Sequence, residues 1–185
     1  ACSVLWDLDV SPDELGVLGA RLGADVPFCL TGGTALGTDR GDQLAPVLSR
    51  GTYHWVLALN AEELSTPEVF GRFDALARPA TGPLEVPAEL LNALIGGDPV
   101  ALGRCLVNDL EAAAFSLRPH LERVRTTGLE LGAIGAVVSG SGPTVAFLAS
   151  DENTAIDLSG KLSAAGVCRA VKRVQGPVPG VRLLN

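Results

Sequence analysis

Two apolar runs, Ala133–Val138 and Thr144–Leu148, are separated only by Ser139-Gly140-Ser141-Gly142-Pro143. So short a link between two short strands has to turn the chain back tightly, which predicts antiparallel neighbours. Glycine lets other groups approach the backbone closely, and serine adds hydroxyl donors. Read from its residues, the loop is either a tight turn or a cradle that aims N–H groups at an anion. Both readings put strands here, and that constrains the rest of the chain.

His54–Leu59 is apolar enough for a buried strand, and Thr66-Pro67-Glu68 has the chemistry of a helix start. Arg78–Pro87 reads as a Pro- and Gly-rich loop. Helices are predicted over 87–96, 98–107 and 116–128, and again over Asp151–Ala165. Val167–Val174 reads as a final strand. Strand, helices, strand, strand, helix, strand is an α+β order close to a split βαβ domain.

Residues 1–50 read differently. Ala1–Leu8 looks like the tail of a helix, and Ser11-Pro12-Asp13-Glu14 starts another. Leu15, Leu18 and Leu22 recur at helical spacing, and Gly23 is placed to end the helix. Residues 29–50 read as a β-hairpin that opens at Gly32-Gly33 and turns over Thr38–Asp42. This stretch does not make a fold alone. The expected division is a domain remnant over 1–50 and a second domain over 51–185.

Hydrophobic residues make up 47% of the chain but aromatic ones only 4%, so the core must be built from Ala, Val and Leu. The net charge of −7 and the lack of a basic run argue against a nucleic-acid partner. Cys2, Cys29, Cys105 and Cys168 are widely spaced and read as free thiols of a reducing cytoplasm. No apolar run suits a membrane span. The chain has no methionine, so an upstream segment is expected.

Asp25 leads the candidates for chemistry. It follows a helix end and stands two residues before Pro27, where backbone direction is restricted. Its carboxylate either caps a short helix or accepts a hydroxyl proton in phosphoryl transfer. Asn108-Asp109-Leu110-Glu111 reads as a solvated helix end. His54 and His120 have no local partner that would suggest a triad.

Five segments occur in an order that resembles the GHMP kinase superfamily. They are Leu22-Gly23-Ala24-Asp25-Val26-Pro27-Phe28, Gly32-Gly33-Thr34-Ala35 with Gly41, Ser65–Phe70, Asn108–Glu111 and Ser139–Thr144. The resemblance covers essentially all 185 residues. It is greatest to the branch that phosphorylates 4-diphosphocytidyl-2-C-methyl-D-erythritol in the non-mevalonate isoprenoid pathway.

The resemblance implies two domains with the active site between them. These would be an incomplete N-terminal α/β domain and a ferredoxin-like split βαβ domain. It implies ATP and Mg²⁺, and transfer of the γ-phosphoryl group to the substrate's 2-hydroxyl. Asp25 matches the family's catalytic aspartate, and Thr66 and Phe70 match the cytidine side of the substrate. Ser139, Gly140, Ser141 and Gly142 match the loop near the phosphates. The family's glycine-rich ATP loop and partner lysine would lie before Ala1, so the chain alone is expected to be an inactive monomer or weak dimer. Asn60-Ala61-Glu62 stands where many members have a Pro-Gly turn. A homoserine or mevalonate type of kinase, or a non-catalytic binding module, are the alternatives.

Overall fold

In the computed structural model, which describes residues 2–76 and 86–182, Ser11 and Glu14 cap a helix reciprocally. The Ser11 hydroxyl accepts from the Glu14 N–H, and the Glu14 carboxylate accepts from the Ser11 N–H at 2.8 Å. The Ser11 N–H, and after it the Ser11 hydroxyl, which donates to the same carboxylate oxygen at 2.9 Å, hold the Glu14 carboxyl below its ordinary range. The helix is α2 (Pro12–Leu22); one turn, α1 (Cys2–Leu5), precedes it. After Gly23 comes a short helix, α3 (Val26–Thr31), with Pro27 in its first turn. Cys29–Thr31 are therefore helical and not part of the expected β segment: Pro27 holds a helix-compatible φ where a first-turn N–H has no partner anyway. The hairpin follows as expected, with β1 (Ala35–Thr38) antiparallel to β2 (Gln43–Pro46).

These elements belong to one of two compact units, which joins the residues up to Ser49 to those from Pro177 onward. The tail, expected with the second domain, pairs instead with α3 and the residues just after it. Gly33 N–H donates to Val178 O at 2.7 Å, and Val181 N–H to Cys29 O at 3.0 Å. Gly32 has φ +62°, and a Cβ there would collide with the Pro179–Gly180 backbone. Among the described residues of this unit up to Ser49, only Gly19 and Pro27 are buried.

The other unit, Arg50–Gly176, holds the core. It runs β3 (Tyr53–Leu59), α4 (Thr66–Leu76), α5 (Ala88–Gly96), α6 (Pro99–Arg104), α7 (Glu111–Leu117) and α8 (His120–Glu130). It continues through β4 (Gly135–Val138), β5 (Val145–Ala149), α9 (Glu152–Ala165) and β6 (Ala170–Gly176). Most of the expected loop over Arg78–Pro87 lies outside the described residues. The sheet order is β4-β5-β3-β6 with every neighbour antiparallel, which is the split βαβ arrangement. The unit is α+β, as its sequence predicts.

All five residues of β5 are buried. Val145, Phe147 and Ala149 join the main core with Leu121, Val124, Leu158 and Leu162 from α8 and α9. Ala146 and Leu148 point the other way, as alternate strand residues must. On that side Gly103 of α6 meets Gly135 of β4 so closely that a Cβ on either would strike backbone.

Two helix predictions differ from the structure. The expected 98–107 ends at Arg104, and the expected 116–128 is two helices, broken at Arg118 before Pro119. Proline has no N–H to continue a helix and disfavours the helical region in the residue before it. The last strand begins at Ala170 instead of Val167. No helix of the described residues is long and apolar enough to cross a membrane.

Gly128 of α8 packs on the Phe147 ring, and a Cβ there would overlap it. Gly128→Ala should lower the unfolding free energy of this unit by about 1–3 kcal/mol through overpacking, read by urea titration. Asp151 caps α9 by accepting from Thr154 N–H at 2.8 Å, and that bond first, with Ser150 and Thr154 hydroxyls, lowers its carboxyl pKa. Its stabilising share is complete above the ordinary carboxylate range and is lost as the pH falls below it. Asp151→Asn should keep the cap and remove that share of acid lability, measured by thermal melts across an acid series.

Candidate functional site

The loop between β4 and β5 is closed at its base by Ser139 N–H donating to Thr144 O at 2.9 Å. Inside it, Gly142 N–H donates to Ser139 O at 2.9 Å. Gly140 has φ +57° and Gly142 has φ +87°, conformations that favour glycine. Gly142 also lies against Leu64 and Val138, leaving little room for a side chain. Among the described residues no acceptor takes the N–H of Gly140 or Ser141. Both are left for a ligand or water, which is what an anion cradle requires.

Three segments remote in sequence hold this loop. Asn60, just past β3, donates from Nδ2 to Pro143 O at 2.6 Å. Asn108 donates from Nδ2 to Val138 O at 2.8 Å and Gly140 O at 2.7 Å, and its Oδ1 accepts Leu110 N–H at 2.9 Å. Glu111, at the start of α7, accepts Val138 N–H at 2.9 Å and pairs with Arg125 of α8 at 3.5 Å. Asn108–Glu111 is thus no solvated helix end but a bracket on the β4 terminus. The signal in the sequence was a pair of polar side chains beside an apolar helix, and nothing local shows which strand they meet. Arg118 ties down the segment before α4, pairing with Glu62 at 3.0 Å and donating to Glu63 O at 3.3 Å.

Thr66 and Ser141 meet: their hydroxyl oxygens are 2.9 Å apart. Phe70 lies one helical turn beyond Thr66, so the two share a face of α4. Phe70 is 49% exposed, while its neighbour Val69 is fully buried in the core. Six of the seven predicted site residues, Thr66, Phe70, Ser139, Gly140, Ser141 and Gly142, therefore lie in this unit, and the Thr66–Ser141 contact joins its two groups.

Asp25 belongs to the other unit. It stands at the N-terminus of α3 with helical dihedrals, is exposed, and makes no side-chain capping bond. The capping alternative is thereby removed, and its carboxylate is open to other work. Among the described residues no three His, Cys, Asp or Glu side chains converge on a point that could hold a metal.

Residues 88–168 match the family described as GHMP kinases C terminal. The chain is 50% identical over 184 residues to a 4-diphosphocytidyl-2-C-methyl-D-erythritol kinase of Rhodococcus jostii, covering 99% of this chain and 59% of that protein. It is 50% identical over 186 residues to the kinase of that name from Mycobacterium tuberculosis, covering 100% and 58%. A crystal structure of 4-(cytidine 5'-diphospho)-2C-methyl-D-erythritol kinase superposes with a TM-score of 0.75 at 29% identity, covering 94% of this chain and 59% of that one. A homoserine kinase from Cytophaga hutchinsonii shares the fold, with a TM-score of 0.72 at 19% identity over 97% and 62%. The chain thus spans less than two thirds of the length of each of these proteins.

The Glu111 bracket can be tested by itself. Glu111→Ala strands the Val138 N–H and Arg125 in a half-buried place and should cost about 1–3 kcal/mol of stability. Glu111→Gln keeps an acceptor and should cost clearly less, by urea titration of both variants.

Proposed function

We propose that this chain, which belongs to the GHMP kinase family and has its fold, is part of an ATP-dependent kinase acting on 4-diphosphocytidyl-2-C-methyl-D-erythritol. The observation that carries the proposal is 50% identity across 99% of the chain to a kinase named for that substrate. Likeness to a homoserine kinase at 19% identity supports the fold alone.

In this reading Asp25 takes the proton of the substrate's 2-hydroxyl, or orients that hydroxyl, as its oxygen attacks the γ-phosphorus of ATP. The bond from the γ-phosphorus to the bridging oxygen breaks, and ADP leaves with that electron pair. The transition state spreads negative charge over the phosphoryl oxygens, so catalysis comes mostly from positioning and from dipoles. The free N–H groups of the Ser139–Gly142 loop suit that task, because they are fixed before substrate arrives. Thr66 and Phe70 form a wall with one hydroxyl and one exposed ring, suited to a nucleoside that offers both an apolar face and polar edges. The two units correspond to the end of the family's N-terminal domain and to its C-terminal domain. No glycine-rich loop of the ATP-binding kind stands among the 185 residues, so this chain by itself is expected to turn over no substrate.

The test uses the protein expressed from the whole reading frame that encodes this chain, with ATP and a panel of alcohols. The diphosphocytidyl alcohol should be phosphorylated, and homoserine and mevalonate should not. Asp25→Asn should cut turnover by about 10²–10⁴-fold while melting temperature stays unchanged, since an exposed carboxylate without a capping bond supports no local structure. Near-normal turnover in that variant removes Asp25 from the chemistry.

A further inference from the structure

A trans peptide is planar, and its C=O and N–H point to opposite sides. Whatever grips the Gly140 carbonyl therefore also aims the Ser141 N–H, because the two belong to one trans peptide unit. Asn108 grips it, with both protons of Nδ2 engaged by the carbonyls of Gly140 and Val138. The amide is also keyed, since its Oδ1 accepts the Leu110 N–H. Turned over, it would set oxygen against two carbonyls and NH₂ against an N–H.

On the far side of the gripped peptide, the Ser141 N–H meets no acceptor among the described residues. The hydroxyl of the same residue is held by Thr66. Ser141 is thus tethered by its side chain and by the preceding carbonyl, with its N–H left over.

We infer that Asn108 is a positioning residue: it orients the Gly140–Ser141 peptide so that the Ser141 N–H is a fixed, free donor for the transferring phosphoryl group. The inference rests on the kinase reading for the identity of that group. It explains why asparagine stands here. Aspartate has the shape but no donors, glutamine is a methylene too long, and a hydrophobic residue would leave two carbonyls without a donor.

Asn108→Asp is the informative variant, since it keeps the acceptor for Leu110 and replaces the double donor by an oxygen. The first readout is amide hydrogen exchange in the present chain. Ser139 and Gly142 should exchange at least ~10-fold faster while Val145–Leu148 keep their rates, the mark of local opening. The second readout is steady-state kinetics of the protein from the whole reading frame. There kcat should fall about 10²-fold, as for loss of one preorganised donor, with KM for the alcohol moved less than about twofold.

Ser141→Pro, which deletes the N–H itself, should give a similar loss, beyond that of a Ser141→Ala control. Adding Asn108→Asp to Ser141→Pro should then cost little more. Unchanged loop exchange, intact kcat with raised KM, or fully additive losses overturn the inference. So does uniformly faster exchange through the strands, which would make Asn108 a stabilising residue only. If the wild-type protein phosphorylates none of the alcohols, the kinase reading fails separately, and loop exchange alone then decides whether Asn108 sets the loop.

Discussion

The pairing of β3 with β5 is the constraint from which the site follows. These strands are over eighty residues apart in the chain and lie antiparallel, with Ala58 opposite Val145. Extending that register two residues past the Ala58–Val145 pair brings Asn60 to Pro143, where its amide meets the loop carbonyl. The same sheet sets β4 beside β5, with Val138 opposite Val145, so the glycine loop has to emerge at that end. Slipping the register by one residue would turn Phe147 out of the core and take Asn60 away from the loop. Burial of Val56, Val145 and Phe147 thus specifies loop geometry as well as stability.

Much of this was legible in the sequence because its signals are local. The apolar runs at 54–59, 133–138 and 144–148, the helix start at Ser11 and the hairpin around Gly41 all rest on neighbours a few residues away. The bracket of Asn108 and Glu111 was not legible. Its partners are Val138 and Gly140, some thirty residues on, and a polar side chain after a helix gives no sign of which backbone it will meet. The break at Arg118–Pro119 was missed because proline suits a helix's first turn but not its interior, and the short helix offered at Asp25 runs on to Thr31, into residues read as β.

The two units divide the energetics unevenly. In Arg50–Gly176 a continuous core of Ala, Val and Leu closes around Phe147, with Phe73 and Phe115 packed at its edge, as a composition poor in aromatic residues requires. In the other unit Leu5, Trp6 and Leu22 are 77%, 64% and 83% exposed, and cap bonds and the Gly32–Pro179 bridge carry much of the local order. Order that rests on hydrogen bonds open to water is weak per bond, so amide exchange should be fastest there.

Electrostatics bear on how an acidic chain could hold a polyphosphate. With 21 acidic and 14 basic side chains, long-range attraction works against an anion. Arg118 and Arg125 offer little help, since Glu62 and Glu111 already engage them. Among the described residues, the free donors of the loop are neutral, the N–H groups of Gly140 and Ser141, and dipoles act only at contact range. Such a site discriminates by geometry more than by charge, so its strength depends on how rigidly the donors are aimed. Binding through fixed dipoles is also less sensitive to salt than binding through exposed cations. Under the proposed function that places the burden on the side chains behind the loop: Asn60, Asn108 and Glu111 touch its backbone or the strand end that carries it, and they hold a glycine turn in one arrangement.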